Sequence, residues 1–494
     1  MTTIDSEEMV IRANPYVGPR PLRHGEDLPA RDHEVRDLTD LLIAERIALL
    51  HAPSGAGKTS LIQAGVIPLL EREGKFLSEK PFRCVGPLRV NSPARADVKP
   101  PNRYLHSLAL ELLPDRDEAE LARMSLAQVV DEAMPWTRTN TPVLILDQFE
   151  EILILNPTDW DGQEVFFSEL GGVLRDRDIW VLFAMREDYM GGLNRYLHHI
   201  PGYLQTTFRL DFLDTEAAKL AIIEPAGKHG VKVTEEAATE LINQLRTIRV
   251  QSPGNEVELV EGPYVQPFQL QVVCRNLWRT LDREKQGRFK VIDRKRVLKH
   301  AGVAESMRQY YRDTLAEVAA IEGADERTLR DWFETELITA QGFRSQTMTR
   351  PEAETEDPLA VVNALQAAYL LRSDSRSGSI WYELAHDQLI TPIQQDNAYW
   401  REAQLEVWQQ RARDWQTTRD RSLLVSGADL KYAQRRASIC TPSQNELDFL
   451  EESALAEQDR SVLERTRAYL LQMRVLALLL GIAVVVLTVL LLRG

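Results

Sequence analysis

The 494-residue sequence is poor in cysteine and lacks several patterns that define common protein classes. Its three cysteines, Cys84, Cys274 and Cys440, lie far apart, so they indicate neither a disulfide framework nor a metal cluster. The nine histidines form no HExxH pattern and no paired metal spacing. The N-terminus has no basic segment followed by an apolar one, so we expect no secretory signal. No internal repeat indicates a solenoid or a propeller.

Positive charge is also in the minority, with 59 Lys and Arg against 74 Asp and Glu and a net charge of −15. Because lysine and arginine contacts to phosphate supply much of the affinity for nucleic acid, we expect no nucleic-acid partner. The balance does not exclude one basic site. An apolar content of 44% and a charged content of 27% are typical of globular protein, and the length suffices for about three or four domains.

The most informative stretch that is present runs from Arg46 to Ser60, with the sequence RIALLHAPSGAGKTS. It predicts a buried strand, a tight loop and then a helix, which begins in LIQAGVIPLL. This order aims backbone N–H groups and a helix N-terminus at one point, as phosphate binding requires. The pattern is GxxxxGK[ST], except that Ala52 replaces the first glycine. The competing interpretation, a helix start in an unrelated turn, is disfavoured by the preceding strand.

We therefore predict that this loop binds the phosphates of a nucleotide. Lys58 can reach the β- and γ-phosphates, and the Thr59 hydroxyl can ligate Mg²⁺. The residues predicted to bind nucleotide here are Ser54, Gly55, Ala56, Gly57, Lys58, Thr59 and Ser60.

A second nucleotide motif follows in PVLILDQFEE. Its apolar part predicts a buried strand that ends at Asp147, which can hold Mg²⁺ partly through water, opposite Thr59. Glu150 or Glu151 can orient or deprotonate the attacking water. Together with the phosphate loop, this motif predicts nucleotide hydrolysis.

Arg186 follows the next apolar strand, Asp178 to Ala184. An arginine at a strand tip can detect a γ-phosphate, but a surface pair with Glu187 or Asp188 explains it equally well. The predicted catalytic set is Lys58, Asp147, Glu150, Glu151 and Arg186. Alternation of strands and helices up to about residue 214 predicts an α/β core, a parallel sheet with helices on both faces.

The rest of the chain predicts helical modules. Helix formers begin at Thr215, are broken by Pro225 and predict an all-helical lid. Further helices and a hairpin with a turn at Ser375 to Gly378 predict a winged helix, followed directly by His386. The predicted domains are a leader at 1–13, an NTPase core at 14–214, a lid at 215–300, a winged helix at 301–395, a helical connector at 396–470 and a membrane anchor at 471–494.

The run from Val475 to Leu492 is uncharged and almost wholly aliphatic. As a helix it spans about 27 Å, which predicts a single transmembrane helix in contact with lipid. Arg465, Arg467 and Arg474 before it, against Arg493 beyond it, predict a body in the bacterial cytoplasm. A buried core helix is the alternative.

The motifs together resemble those of STAND P-loop ATPases, in particular the bacterial novel STAND NTPase type 1 domain. The resemblance covers roughly residues 14–455 and includes NPYVGPRP, LPARDHE, APSGAGKTS, LILDQFEE, AMRED, IIEPA and ELAHDQL. Ala30 and Ala52 depart from it, since each replaces a glycine.

The resemblance implies an ADP/ATP switch with Mg²⁺. ADP would be clamped by Lys58, Pro225 beside the base and His386 on the β-phosphate. Tyr16 and Val17 stand in the opening motif and would line the base pocket, although spacing alone favours a linker there. Exchange for ATP would release His386, let Arg186 engage the γ-phosphate, and permit self-association.

The expected function is thus an ATP-binding signalling switch, off with ADP and on with ATP, with slow hydrolysis. We expect it at a membrane, in a stress or antiphage pathway, with an unknown sensor or protein partner. Two alternatives stay open: an effector whose terminal helix disrupts the membrane on assembly, and a nucleotide-binding adaptor without turnover, which Ala52 permits.

Overall fold

The computed structural model describes residues 13–491 apart from a few short gaps. These gaps are 78–79, 91–97, 135–139, 155–157, 252–256, 286–287, 340–341, 343, 352–357, 377–378 and 439–443. The chain divides into two compact units, Met1–Asp396 and Asn397–Gly494.

The first unit is built around a five-stranded parallel sheet with the strand order β2-β3-β4-β1-β5. Its strands are β1 (Ile47–Ala52), β2 (Phe82–Leu88), β3 (Thr141–Leu146), β4 (Trp180–Arg186) and β5 (Thr207–Arg209). The carboxyl ends of β1, β3 and β4 meet at one edge of this sheet, where parallel α/β proteins bind their ligands.

Both faces of the sheet are buried, because successive side chains point to opposite sides of a strand. In β1, Ile47 and Leu49 join one hydrophobic core, and Ala48 and Leu50 join the other. The predicted α/β core, a parallel sheet with helices on both faces, is therefore confirmed. The longer helices of this core are Asp32–Glu45, Ile67–Leu77, Arg103–Leu112, Leu126–Ala133 and Trp160–Asp176, and a π-helical turn, Leu61–Val66, joins the phosphate loop to Ile67–Leu77.

The region after the core sheet is mainly helical, but it is not all-helical as predicted. Its helices are Thr215–Lys228, Glu235–Arg246, Pro267–Lys285 and Arg294–His300. It adds two small sheets, β6 (Lys232–Val233) with β9 (Val291–Ile292) and β7 (Thr247–Gln251) with β8 (Val257–Glu261). Half of the residues in TIRVQ and VELVE are β-branched, a composition that favours strands over helix.

The next module, which we call the wing module, combines three helices with a three-stranded antiparallel sheet. The helices are Val303–Glu322, Glu326–Thr335 and Pro358–Ala367, and the strands are β10 (Gln346–Thr347), β11 (Leu371–Arg376) and β12 (Ser379–Leu384). A buried ion pair between Arg330 and Asp396, 2.8 Å apart, joins its second helix to the helix Ile390–Gln404.

The second unit contains the helices Val407–Thr418, Gly427–Ala437 and Gln444–Leu491. Trp408 and Trp415 are buried in its small core, and the Trp415 ring lies 5.8 Å from that of Phe449. These two tryptophans therefore serve packing, as their spacing indicates.

The predicted transmembrane anchor is corrected by the structure. Among the described residues, no helix is both long and apolar enough to span a bilayer. This finding removes support for the transmembrane helix, for the single-pass location and for an effector that acts through it. Residues 475–491 continue the helix Gln444–Leu491, but the side chains of 477–494 lie outside the described residues.

Candidate functional site

The phosphate loop begins where β1 ends and closes at Lys58, the first residue of the following helix. Gly55 and Gly57 have φ values of +81° and +96°, which L-residues rarely adopt, so the loop can curl around a ligand. Ala52, by contrast, is the last residue of β1 and is fully buried in the core below the sheet. A methyl group therefore fits at the position where the motif has its first glycine.

Thr59 and Asp147 meet at this edge of the sheet. The Thr59 hydroxyl donates a hydrogen bond of 2.6 Å to Asp147 Oδ2, and the Gln148 N–H donates one of 2.8 Å to Oδ1. Asp147 is only 5% exposed. A hydroxyl and a carboxylate at this distance suit a small hard cation such as Mg²⁺, which they could bind partly through water.

Lys58 and Glu150 form the charged floor of the site. Burial lowers the pKa of Lys58, whereas the nearby Glu150 and Asp147 carboxylates oppose that shift. Burial raises the pKa of Glu150, with the charge of Lys58 opposing it, and Glu150 Oε2 accepts a hydrogen bond of 3.1 Å from the Arg186 N–H. A desolvated carboxylate in this position is suited to accept a proton.

Gln148 directly follows Asp147, and sequence reasoning assigned it no role. Its φ of +53° turns the chain so that Phe149 enters the core and Glu150 faces the site. In the amide orientation that satisfies both neighbours, Gln148 donates to Glu151 Oε1 at 2.7 Å and accepts from Arg89 at 3.0 Å. Glu151 is thus already engaged by a side-chain amide.

Arg186 lies at the end of β4 and faces the same cavity as the phosphate loop. Its Nη2 donates a hydrogen bond of 2.6 Å to Asp188, and its guanidinium lies 5.2 Å from the Tyr189 ring centre. Both sequence interpretations of Arg186 are therefore compatible with its position. Within the described part of the chain, its buried Nε has no hydrogen-bond partner.

His386 approaches the phosphate loop from the wing module. Its ring stacks on Phe268, with 3.8 Å between the centres, and a Cβ on Gly55 would lie 3.1 Å from His386 Cε1. Burial lowers the pKa of His386 to about 3, and the charges of Arg372 and Arg344 add to this shift. The imidazole is therefore neutral at physiological pH.

The opening segment lies beside the loop, but its two predicted contact residues differ in position. Val17 lines the cavity. Tyr16 is 2% exposed, packs in the core of the lid region and donates a hydrogen bond of 2.6 Å to the Ile222 carbonyl. Pro225 is half-buried and outside the described cavity lining, where Ala221, one helical turn earlier, is found instead.

Arg31 fixes the loop from the side of the opening segment. It is 6% exposed, donates a hydrogen bond of 2.7 Å to the Asp211 carbonyl and lies 3.5 Å from the Ala56 carbonyl. The preceding residue, Ala30, has a φ of +63°. This left-handed backbone explains why the motif has a glycine where this chain has Ala30. The conformation costs an alanine roughly 1–2 kcal/mol.

Replacing Ala30 by glycine is expected to stabilise the protein by about 0.5–1 kcal/mol, because relief of this strain exceeds the entropy cost of glycine. The measurement is the shift of the urea unfolding transition. Ala316→Gly, at an exposed position inside the helix Val303–Glu322, is the control and should destabilise by about 0.5–1 kcal/mol. An Ala30→Gly variant no more stable than the parent would contradict the assignment of strain.

These segments enclose one cavity of about 340 Å³. Core, lid region and wing module each contribute to its wall. Residues that sequence reasoning missed include Phe268, Tyr369 and Arg372. Nothing local to these three residues marks them, because each reaches the cavity through the packing of distant modules.

One sequence family matches most of the chain. The family model described as novel STAND NTPase 1 matches residues 15–422. No curated protein matches. Among solved structures, the Walker-type ATPase PABY2304 of Pyrococcus abyssi is 14% identical with a TM-score of 0.39, over 76% of this chain and 98% of that one. The ORC2 protein of Aeropyrum pernix, in its ADPNP–ADP complexes, is 13% identical with a TM-score of 0.39, over 78% and 99%. Similarity this weak transfers no function.

Proposed function

The chain belongs to the novel STAND NTPase 1 family, and from this membership we propose that it is a nucleotide-operated switch. It is an ATP-binding P-loop NTPase, and the proposal concerns what the nucleotide controls. ADP holds the wing module against the phosphate loop, ATP releases it for self-association, and slow hydrolysis restores the closed form. The proposal extends to signal transduction, in a stress or antiphage pathway, on the family resemblance alone.

The loop and sheet edge supply the nucleotide contacts in this proposal. The loop N–H groups and Lys58 bind the phosphates, while Thr59 and Asp147 hold Mg²⁺, which supplies positive charge beside the terminal phosphates. In this proposal, Glu150 takes a proton from the attacking water, and Arg186 contacts the γ-phosphate.

The observation that carries the proposal is the contact between His386 and Gly55, where a Cβ would lie 3.1 Å from the imidazole. Because the wing module packs on the loop that cradles phosphate, any ligand that moves the loop also changes the docking of the wing module. A neutral imidazole can lie beside the loop without repelling Lys58. A difference of a few kcal/mol between nucleotide states is enough to invert the populations of two conformations.

His386→Ala tests this clamp. We expect ADP to dissociate about tenfold faster, because the stacked ring that closes the cavity over the loop is lost, and we expect a larger assembled fraction after ATP addition. Release of a fluorescent ADP analogue and light scattering measure the two effects. His33→Ala, at an exposed helix position, is the matched control. Unchanged ADP release in His386→Ala would refute the clamp.

A second candidate is an adaptor that binds nucleotide without hydrolysing it. It is favoured by the hydrogen bond from the Arg186 N–H to Glu150, which occupies one oxygen of the general-base candidate. ATP turnover by the purified parent protein distinguishes the two candidates. The switch hydrolyses ATP slowly, and the adaptor does not hydrolyse it.

A further inference from the structure

The wing module presents a second cationic residue to the cavity, Arg372 on β11. Its Nη1 lies 3.5 Å from the Ser54 hydroxyl of the phosphate loop, a weak contact at the limit of hydrogen bonding. Arg372 is therefore close enough to share a ligand with the loop.

The charges around Arg372 are unevenly matched. Arg372 donates through Nε to Glu383 Oε1, and Arg344 Nε lies 3.5 Å from Glu383 Oε2. The second oxygen of Glu383 also accepts a hydrogen bond of 2.9 Å from Gln346. Two guanidinium groups thus share one carboxylate on the wing.

A further positively charged residue lines the same cavity as Arg372. Arg186 lines the same cavity from the end of β4. Burial is the main cause that lowers the pKa of Arg372, and the charges of Arg186 and Arg344 lower it further, while Glu383 opposes them. The guanidinium groups of Arg186 and Arg372, from two modules, therefore repel each other. An anion between them would turn this repulsion into attraction.

We propose that Arg372 is an anion-binding residue that contacts the terminal phosphate of a nucleoside diphosphate held by the loop. This inference rests on the proposed function, since it assumes a nucleotide in the cavity. Glu383 orients the guanidinium through Nε and leaves Nη1 directed toward the loop. The planar, permanently charged fork matches a phosphate group better than an ammonium does.

The consequence is that the wing module senses phosphate directly. His386 offers a neutral ring to the loop, whereas Arg372 offers a full charge beside Ser54. Nucleotides that end in different phosphates should therefore dock the wing module with different strength.

The test compares Arg372→Gln with the parent full-length chain by calorimetric titration of adenosine, ADP and ATP. We expect roughly tenfold to hundredfold weaker binding of ADP, the loss of one charge-assisted contact, and unchanged binding of adenosine. The change for ATP should be smaller, because ATP releases the wing module in the proposed mechanism. Arg344→Gln is the matched control, because Arg344 shares Glu383 but does not line the described cavity. It should leave all three affinities within about threefold of the parent.

The outcomes separate this inference from the proposed function. If the parent binds ADP and Arg372→Gln binds it equally well, the inference fails and the switch survives. Equal weakening by Arg344→Gln would also overturn it, since general disruption of the wing would then explain the loss. A parent that binds neither ADP nor ATP would refute both proposals. Should Arg372→Gln fail to fold, Arg372→Lys carries the test, with a severalfold loss expected for ADP and unchanged binding of adenosine.

Discussion

Replacing Lys58 by alanine is expected to weaken the binding of both ATP and ADP by roughly a hundredfold or more. The ammonium group is buried beside Asp147 and Glu150, whose charges favour its protonated form. Its removal costs the charge-assisted contact to phosphate and also leaves two carboxylates facing the ligand without the neighbouring cation. Because repulsion replaces attraction in a desolvated site, the loss exceeds that of one surface ion pair.

Titration of the full-length protein with ATP and ADP in the presence of Mg²⁺ measures this effect. Lys290→Ala removes the same chemical group at an exposed position outside the described cavity lining, and it should bind like the parent. Retention of near-parent affinity by Lys58→Ala would mean that the loop does not cradle phosphate. The nucleotide assignment would then be wrong.

Glu150→Gln is expected to lower the rate of ATP hydrolysis by about 10² to 10⁴, the usual contribution of a positioned general base. Binding of ATP should change by less than about threefold, because the amide oxygen can still accept from the Arg186 N–H. Burial already raises the pKa of Glu150, so this carboxylate is a stronger base than one in water. The neutral amide has the same shape but cannot take a proton.

Steady-state turnover and ATP affinity, measured together, isolate the chemical step from binding. Glu151→Gln is the comparison, since Glu151 is adjacent in the chain and already accepts a hydrogen bond from Gln148. We expect its turnover to fall by less than about tenfold. A larger loss in Glu151→Gln than in Glu150→Gln would reverse the assignment. Absence of turnover in the parent would instead favour the adaptor.

The sequence was sufficient for the core because its signals there are local. Two strands that lead to the site are apolar runs followed or ended by a charged residue, Asp147 after β3 and Arg186 in β4. Parallel strands that end at one edge bring such residues together whatever lies between them. The contact between Thr59 and Asp147 follows from this topology, although 88 positions separate the two residues.

The remaining wall of the cavity could not be predicted in the same way. Phe268, Tyr369 and Arg372 have no motif, and they reach the loop only because helices and strands of other modules pack beside the sheet. Two physical requirements can explain a glycine at position 55: the positive φ of the loop and the close approach of another group. Only the position of His386 reveals the second.

The wrong predictions inferred secondary structure or location from amino-acid composition alone. Helix formers before and after residues 247–261 hid an antiparallel pair of strands, β7 and β8, each only five residues long. The aliphatic run at the C-terminus was interpreted from length and hydropathy alone. The described helices do not bear that interpretation out.

The phosphate loop and His386, the two sides of the clamp, are far apart in the sequence and are therefore synthesised at different times. Gly55 and His386 are 331 positions apart (386 − 55), so ribosomes that add about 5–20 residues per second need roughly 15–65 s to make the second after the first. During that interval the phosphate loop can bind nucleotides before His386 and the rest of the wing module's cavity residues exist. In the proposed mechanism, the site therefore closes for the first time during folding. The first nucleotide it holds is one that is present while the protein is being made.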